Sequence, residues 1–184
     1  MAPRRIPARF TAFFLSFTLL LTACASVRLV PAYDEQIDNG LTELYADTSG
    51  FVDRMVQSAG KPEGTFEQNK DFYTDSLGKL DALIARAEAN RVLGSCPSTK
   101  LMGAALDQVS LPQEVRGQIG TLPQGDCEVV LFRMIRDDFQ DMREIHRLRG
   151  DKGLPLEARD QFLSGSIGAL MRAAIAVEVA KRAK

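Results

Sequence analysis

The sequence predicts an all-α fold, a four-helix bundle whose second and third helices are joined by a long connection. Three observations lead to it. Four stretches carry apolar residues at spacings of three and four, the pattern of helices that bury one face. Gly and Pro stand where those stretches begin and end, as helix boundaries favour. The chain has no Trp, and its body is rich in Ala and Leu, the residues that favour helix most.

The first helix is expected from Tyr33 to about Ala59. Ile37, Leu41, Leu44, Thr48, Phe51 and Met55 run along it at spacings of 4, 3, 4, 3 and 4, a bundle seam. Gly40 and Gly50 weaken it modestly, and Gly60-Lys61-Pro62 ends it. A second helix, about Gly64 to Leu93, carries Phe66, Tyr73, Leu77, Leu80, Ile84 and Ala87 in the same rhythm, with Gly94 as its C-cap.

From Ser95 to Gly125 the chain changes character, broken by Pro97, Pro112 and Pro123. Lys100 to Val109 suits one short helix, and Ser110-Leu111-Pro112-Gln113-Glu114 suits the start of another. A connection of this length is unusual in a bundle and is either functional or stapled. Asp126 is placed to cap a third helix that runs to Arg149 through Val130, Met134, Phe139, Met142 and Ile145. Arg147 and Arg149 suit the negative end of its dipole, and Gly150 terminates it. Pro155, near N1, opens a fourth helix that reaches about Ala183 through Phe162, Leu163, Ile167, Leu170, Met171, Ala174 and Val177. Only "EVVLF" (128–132) is ambiguous between helix and strand. There is no internal repeat and no low-complexity tail.

Ahead of this body stands a different kind of segment. Arg4, Arg5 and Arg9 precede an apolar run from Phe10 to Leu21, interrupted by Thr11, Ser16 and Thr18. A cationic start, about a dozen apolar residues and a small-residue site make a secretory signal peptide. A membrane-spanning helix needs roughly 20 apolar residues, and Asp34, Glu35 and Asp38 soon follow this shorter run.

Leu21-Thr22-Ala23-Cys24 resembles the lipobox of bacterial lipoproteins at all four positions. The resemblance implies that the Cys24 sulfur receives a diacylglycerol, that the chain is cut before it, and that the new amino terminus is acylated, with palmitate among the acyl groups. Several acyl chains anchor durably, at about 0.8 kcal/mol per buried CH₂, where one alone is marginal. Ala25 rather than Asp follows the cysteine, which in enteric-type sorting implies the outer membrane, facing the periplasm. The body itself resembles helical lipoproteins of proteobacteria through "YDEQIDNG", "GDC", "EIHR" and "KGLP", motifs that imply a class and no chemistry.

On that reading the chain divides into a signal peptide (1–23), a lipidated tether (24–32) and a helical domain (33–184). Nine extended residues span about 30 Å at most, so the domain is expected close to the bilayer. Removal of the signal takes three arginines and no acid, leaving 20 cations against 24 acids and a side-chain charge of −4. Nucleic acid, which calls for a concentrated basic face, is not an expected partner. With Cys24 assigned to lipid, Cys96 and Cys127 remain as a pair, and in an oxidising compartment an even remainder reads as a disulfide. The full fold expectation is then a bundle with a long, disulfide-stapled connection between helices 2 and 3.

Chemistry is scarce. His146 is the sole histidine, near Asp137, Asp138, Asp141 and Glu144. Di-iron bundles need Glu-x-x-His twice, whereas Glu144-Ile145-His146 puts its two side chains on different faces; a charged, solvated helix face with a structural or capping His is the better reading. Ser164 and Ser166 lie in "LSGSIG", not in a strand-to-helix nucleophile elbow. "NKDFYTDSLGKLD" (69–81) lacks the glycine of a calcium loop, and no phosphate-binding glycine loop is present. Gly165, Ser166, Gly168 and Ala169 suit close packing, and Arg136, Arg143 and Arg147 suit a solvated face.

The expectation is a non-catalytic, lipid-anchored protein without metal or cofactor. It would touch membrane lipid through Cys24 and bind or scaffold an envelope protein partner. The rival expectation is a carrier for a lipid or small amphiphile in an apolar pocket lined by Met134, Phe139, Met142, Phe162 and Met171.

Overall fold

The structure is a computed structural model that describes residues 33–90, 113 and 127–182. Cys24, Cys96, the 24–32 tether, the Asp126 cap and nearly all of the 95–125 connection lie outside the described residues, as does the side chain of Cys127. Every regular element among the described residues is helical. Among the described residues four long helices make the body: α1 (Glu35–Gln57), α2 (Phe66–Ala89), α3 (Cys127–Arg149) and α4 (Ser166–Arg182).

Each helix packs on the next in chain order, and α4 closes the ring against α1, the arrangement of an up-down bundle. The α1 seam is as expected: Ile37, Leu41, Leu44, Thr48, Phe51 and Met55 are all buried. Thr48 holds a core position because its hydroxyl donates to the Leu44 carbonyl at 2.6 Å, satisfying the polar atom within its own helix. In α2, Phe66, Tyr73, Leu80 and Ala87 are buried while Leu77 and Ile84 are half-buried. Asn90, not Gly94, caps that helix.

The third helix includes the ambiguous "EVVLF", which is helical throughout. Its inward seam is offset from expectation. Val129, Phe132, Ile135, Phe139, Met142 and His146 are buried, whereas Val130, Met134 and Ile145 are half-buried. His146 thus faces the core with no solvent exposure, which corrects its expected place on a solvated face.

Pro155 leads into the last helical run, with Ala158 N–H donating to the Pro155 carbonyl at 3.0 Å. That run is not α from the start: Arg159–Gly165 is a π-helical segment, and α4 proper begins at Ser166. The wider π turn displaces backbone carbonyls from their usual partners, and Arg172 Nη1 donates to the Leu163 carbonyl at 3.0 Å. A Cβ on Gly168 would stand 2.0 Å from that same oxygen, so only glycine fits there.

The two short turns, α1 to α2 and α3 to α4, meet at one end of the bundle, the corner end. Gly60 N–H donates to the Lys152 carbonyl at 3.2 Å. Gly153 has φ +64° and would bring a Cβ to 2.7 Å from the Gly64 carbonyl, so glycine is needed for both conformation and space. The opposite end, where α1 and α3 begin and α2 and α4 finish, holds Tyr33 and is labelled the tether end after the expected 24–32 tether.

Candidate functional site

Polar side chains are buried at both ends of the bundle, for different reasons. At the tether end, Asp34 caps α1, its Oδ1 accepting from Gln36 N–H at 2.9 Å and Ile37 N–H at 3.3 Å. Its Oδ2 accepts from Arg86 Nε at 2.7 Å and from the Asn90 amide, both at the end of α2. Burial opposes ionisation of this carboxyl, but those four donors win and hold it below the usual Asp range. Beside it, Asp38 accepts from Tyr33 at 2.9 Å and Arg182 at 2.7 Å, and the Arg182 guanidinium stands 4.7 Å from the Tyr33 ring centre.

Deeper at the same end lies a three-residue cluster. Lys181 Nζ is 2.5 Å from Glu178 Oε1 and 2.5 Å from Glu128 Oε2. The Lys181 and Glu178 side chains are 2% and 0% exposed and that of Glu128 is 13% exposed. Glu178 Oε2 also accepts a long bond, 3.4 Å, from Asp34 N–H. Glu128 Oε1 is buried and finds no hydrogen-bond partner among the described residues. Burial, then the Glu128 charge, push the Glu178 carboxyl up to about 7, against the pull of Lys181.

At the corner end the polar group is His146. Its Nδ1 lies 2.9 Å from Tyr73 Oη and its Nε2 lies 2.9 Å from the Gly64 carbonyl oxygen. A carbonyl can only accept, so Nε2 carries the proton; in the neutral ring Nδ1 is then the acceptor and Tyr73 the donor. Phe51, Phe66 and Tyr73 pack around the ring at centroid distances of 6.4, 5.8 and 5.8 Å. That apolar shell lowers the imidazole pKa by desolvation, although the Gly64 bond works the other way. Burial likewise raises the Tyr73 phenol. Both ring nitrogens of His146 are thus engaged, away from Ser164 and Ser166.

Two open grooves mark the flanks. One, of about 640 Å³, runs between α1 and α2, lined by Ala46, Gly50, Arg54, Phe72, Asp75 and Gly78, with the 2.8 Å Asp47–Lys79 ion pair at its edge. The other, of about 370 Å³, lies between α3 and the π segment beside Asp138, Asp141, Glu144, Gln161, Phe162 and Ser166. Burial and the neighbouring Asp141 and Asp137 raise Asp138 to about 6. Among the described residues no group of three or more His, Cys, Asp or Glu is arranged to hold a metal.

Of the residues named for an apolar pocket, Phe139, Met142, Phe162 and Met171 belong to the buried core and Met134 packs against it. Of the basic set, Arg136 pairs with Asp81 at 2.6 Å and Arg147 with Glu144 at 2.6 Å, as a solvated face would. Sequence reasoning missed Asp34, Glu128, Glu178 and Lys181. A signal for two of them exists, because Ile167, Met171, Ala174, Glu178 and Lys181 continue one seam at spacings of 4, 3, 4 and 3. Comparison with known protein families, curated proteins and solved structures finds no match to this chain.

Proposed function

We propose that this chain is a lipid-anchored bacterial envelope lipoprotein, held at the outer membrane on the periplasmic side, that acts without catalysis by binding or scaffolding an envelope protein. The observation that carries the reading is Leu21-Thr22-Ala23-Cys24 at the close of an apolar signal. The fold is compatible with it. Tyr33 and Asp34 sit where α1 begins, at one end of the bundle, so a tether from Cys24 would leave the two flanks and the corner end open to a partner. The side chains best suited to line a carrier's pocket are engaged in the core instead, which favours a surface over a cavity as the working part.

A Cys96–Cys127 bridge belongs to the same proposal. Asp34 bonds Asn90 at the end of α2, and its N–H reaches Glu178, which shares Lys181 with Glu128 in the first turn of α3. The end of α2 and the start of α3 therefore lie at one end of the bundle, as a staple between residues 96 and 127 requires.

Cys24→Ala tests the anchor. The wild type is expected to incorporate labelled palmitate and to fractionate with membranes, and the variant to do neither. Equal labelling and equal membrane retention in the variant would overturn the reading. Crosslinking in intact envelopes, followed by identification of the captured protein, tests the scaffolding role.

A further inference from the structure

Among the described residues, the Glu128–Glu178–Lys181 cluster has more negative charge than its surroundings answer. From α3 comes Glu128, and from α4 come Glu178 and Lys181, with Arg182 engaged by Asp38 and Tyr33. From the start of α1 come Asp34, Asp38 and Glu35; Asp34 offers Glu178 only its backbone N–H, since its carboxylate is held by Arg86 and Asn90. From α2 comes Arg86, occupied by that same carboxylate. The buried Glu178 carboxylate and the half-buried Glu128 carboxylate thus share one ammonium. Among the described residues Glu128 Oε1 has no donor, and Glu178 Oε2 has one at 3.4 Å. A single proton would cancel the surplus charge and supply the missing donor.

We propose that this cluster is a proton-operated clamp on the tether end of the bundle: one proton bound by the carboxylate pair holds the first turn of α3 against the last turns of α4, and its release loosens that end while the core stays packed. The chemistry is reversible protonation, carboxylate plus solvent proton giving carboxylic acid. The bound form pairs one ammonium with one carboxylate and one neutral acid. The released form buries two anions against one cation, and buried like charges repel strongly. The proton belongs to the pair rather than to either residue alone. A Glu178 carboxyl raised to about 7 puts the release near neutrality. The clamp rests on the folded bundle alone and does not depend on lipidation.

The test is amide hydrogen exchange on the full chain between pH 5 and pH 9, corrected for the intrinsic pH dependence of exchange. Opening at residues 128–131 and 178–181 is expected to become about tenfold more favourable between pH 6 and pH 8, by linkage between a folded pKa near 7 and an ordinary one when open. Residues 139–142 should not change. Glu178→Gln mimics the protonated acid and should remove the pH dependence while keeping the end closed at pH 8. Glu128→Gln should do the same, and serves if the first variant fails to fold. Carbon-13 labelling of the Glu carboxyls should show one titration near neutrality in the wild type. A tether end whose opening does not vary with pH, an unaltered pH dependence in a folded Gln variant, or carboxyls that all titrate in the ordinary range would each overturn the proposal.

Discussion

Tyr73 and His146 are joined by a 2.9 Å hydrogen bond between two side chains with no solvent exposure, one on α2 and the other on α3. Because the other ring nitrogen must donate to the Gly64 carbonyl, the bond's direction is set: the phenol donates and the imidazole accepts. The pair ties two helices to the α1–α2 turn through one five-membered ring.

Tyr73→Phe should keep the aromatic packing and leave Nδ1 without a donor, at a cost of about 1–3 kcal/mol for an unsatisfied buried acceptor. His146→Ala should cost more, since it also opens a cavity within the Phe51–Phe66–Tyr73 shell and orphans both the phenol and the carbonyl. Urea denaturation at pH 7 measures both.

The same histidine fixes a pH dependence. Its folded pKa lies below the ordinary 6.5, so the unfolded chain binds more protons between the two values. The contribution to stability is present above about 6.5 and is lost as pH falls through the folded value. Glu178 has the opposite sign: its raised pKa gives stability present below about 4.5 and lost as pH rises through about 7. Acid titration of His146→Gln should lack the first effect and retain the second, as read by denaturant midpoints from pH 4 to pH 8.

Gly168→Ala should destabilise by at least about 1–3 kcal/mol, the usual range for overpacking a core, because its Cβ would meet the Leu163 carbonyl at 2.0 Å. Gly165→Ala, whose Cβ would sit 3.3 Å from the Asp160 carbonyl, should cost clearly less. Thermal melts of the two variants side by side decide it.

Asp34→Ala removes a helix cap and a buried carboxylate with Arg86 on it, and should cost about 1–2 kcal/mol from the cap alone. Asp34→Asn should retain much of the capping and lose the charge pairing. The Asp34 pKa is held below its ordinary value, so wild-type stability from this group should be lost as pH falls below about 4, and Asp34→Asn should not show that loss.

If Cys96 and Cys127 are bridged, reductant should lower stability by roughly 3–4 kcal/mol, the chain-entropy value for a loop of about 30 residues. Cys96→Ser and Cys127→Ser should each reproduce the reduced state and be insensitive to it. Thiol labelling of the denatured wild type, with and without prior reduction, counts the bridged cysteines directly.

Much of the bundle is legible in the sequence because spacing alone orients a helix. The α1 seam from Ile37 to Met55, and the seam from Phe162 to Val177 that runs through the π segment into α4, are buried as read. What escaped notice is where an inward position is polar. In α3 the seam Phe132, Ile135, Phe139, Met142 ends on His146, so following apolar residues alone shifts the face by a residue and leaves His146 outside. Glu178 and Lys181 continue α4 inward in the same way. Such positions become tolerable only through partners on other helices, Tyr73 and Glu128, which are distant in sequence. The π segment escaped notice because Leu163 to Ile167 supplies an ordinary α step of four, which masks the step of five from Phe162 to Ile167.

The imidazole at the corner end is the chain's sole one, and its tautomer is dictated by a main-chain oxygen. A nitrogen-15 spectrum of the side chain would therefore contain one protonated and one bare ring signal, with nothing to confuse them. Any event that separates the two turns, whether heat, a docked protein or a distant substitution, would let the ring exchange between tautomers and merge that pair. The molecule carries its own built-in indicator of whether its far end is shut.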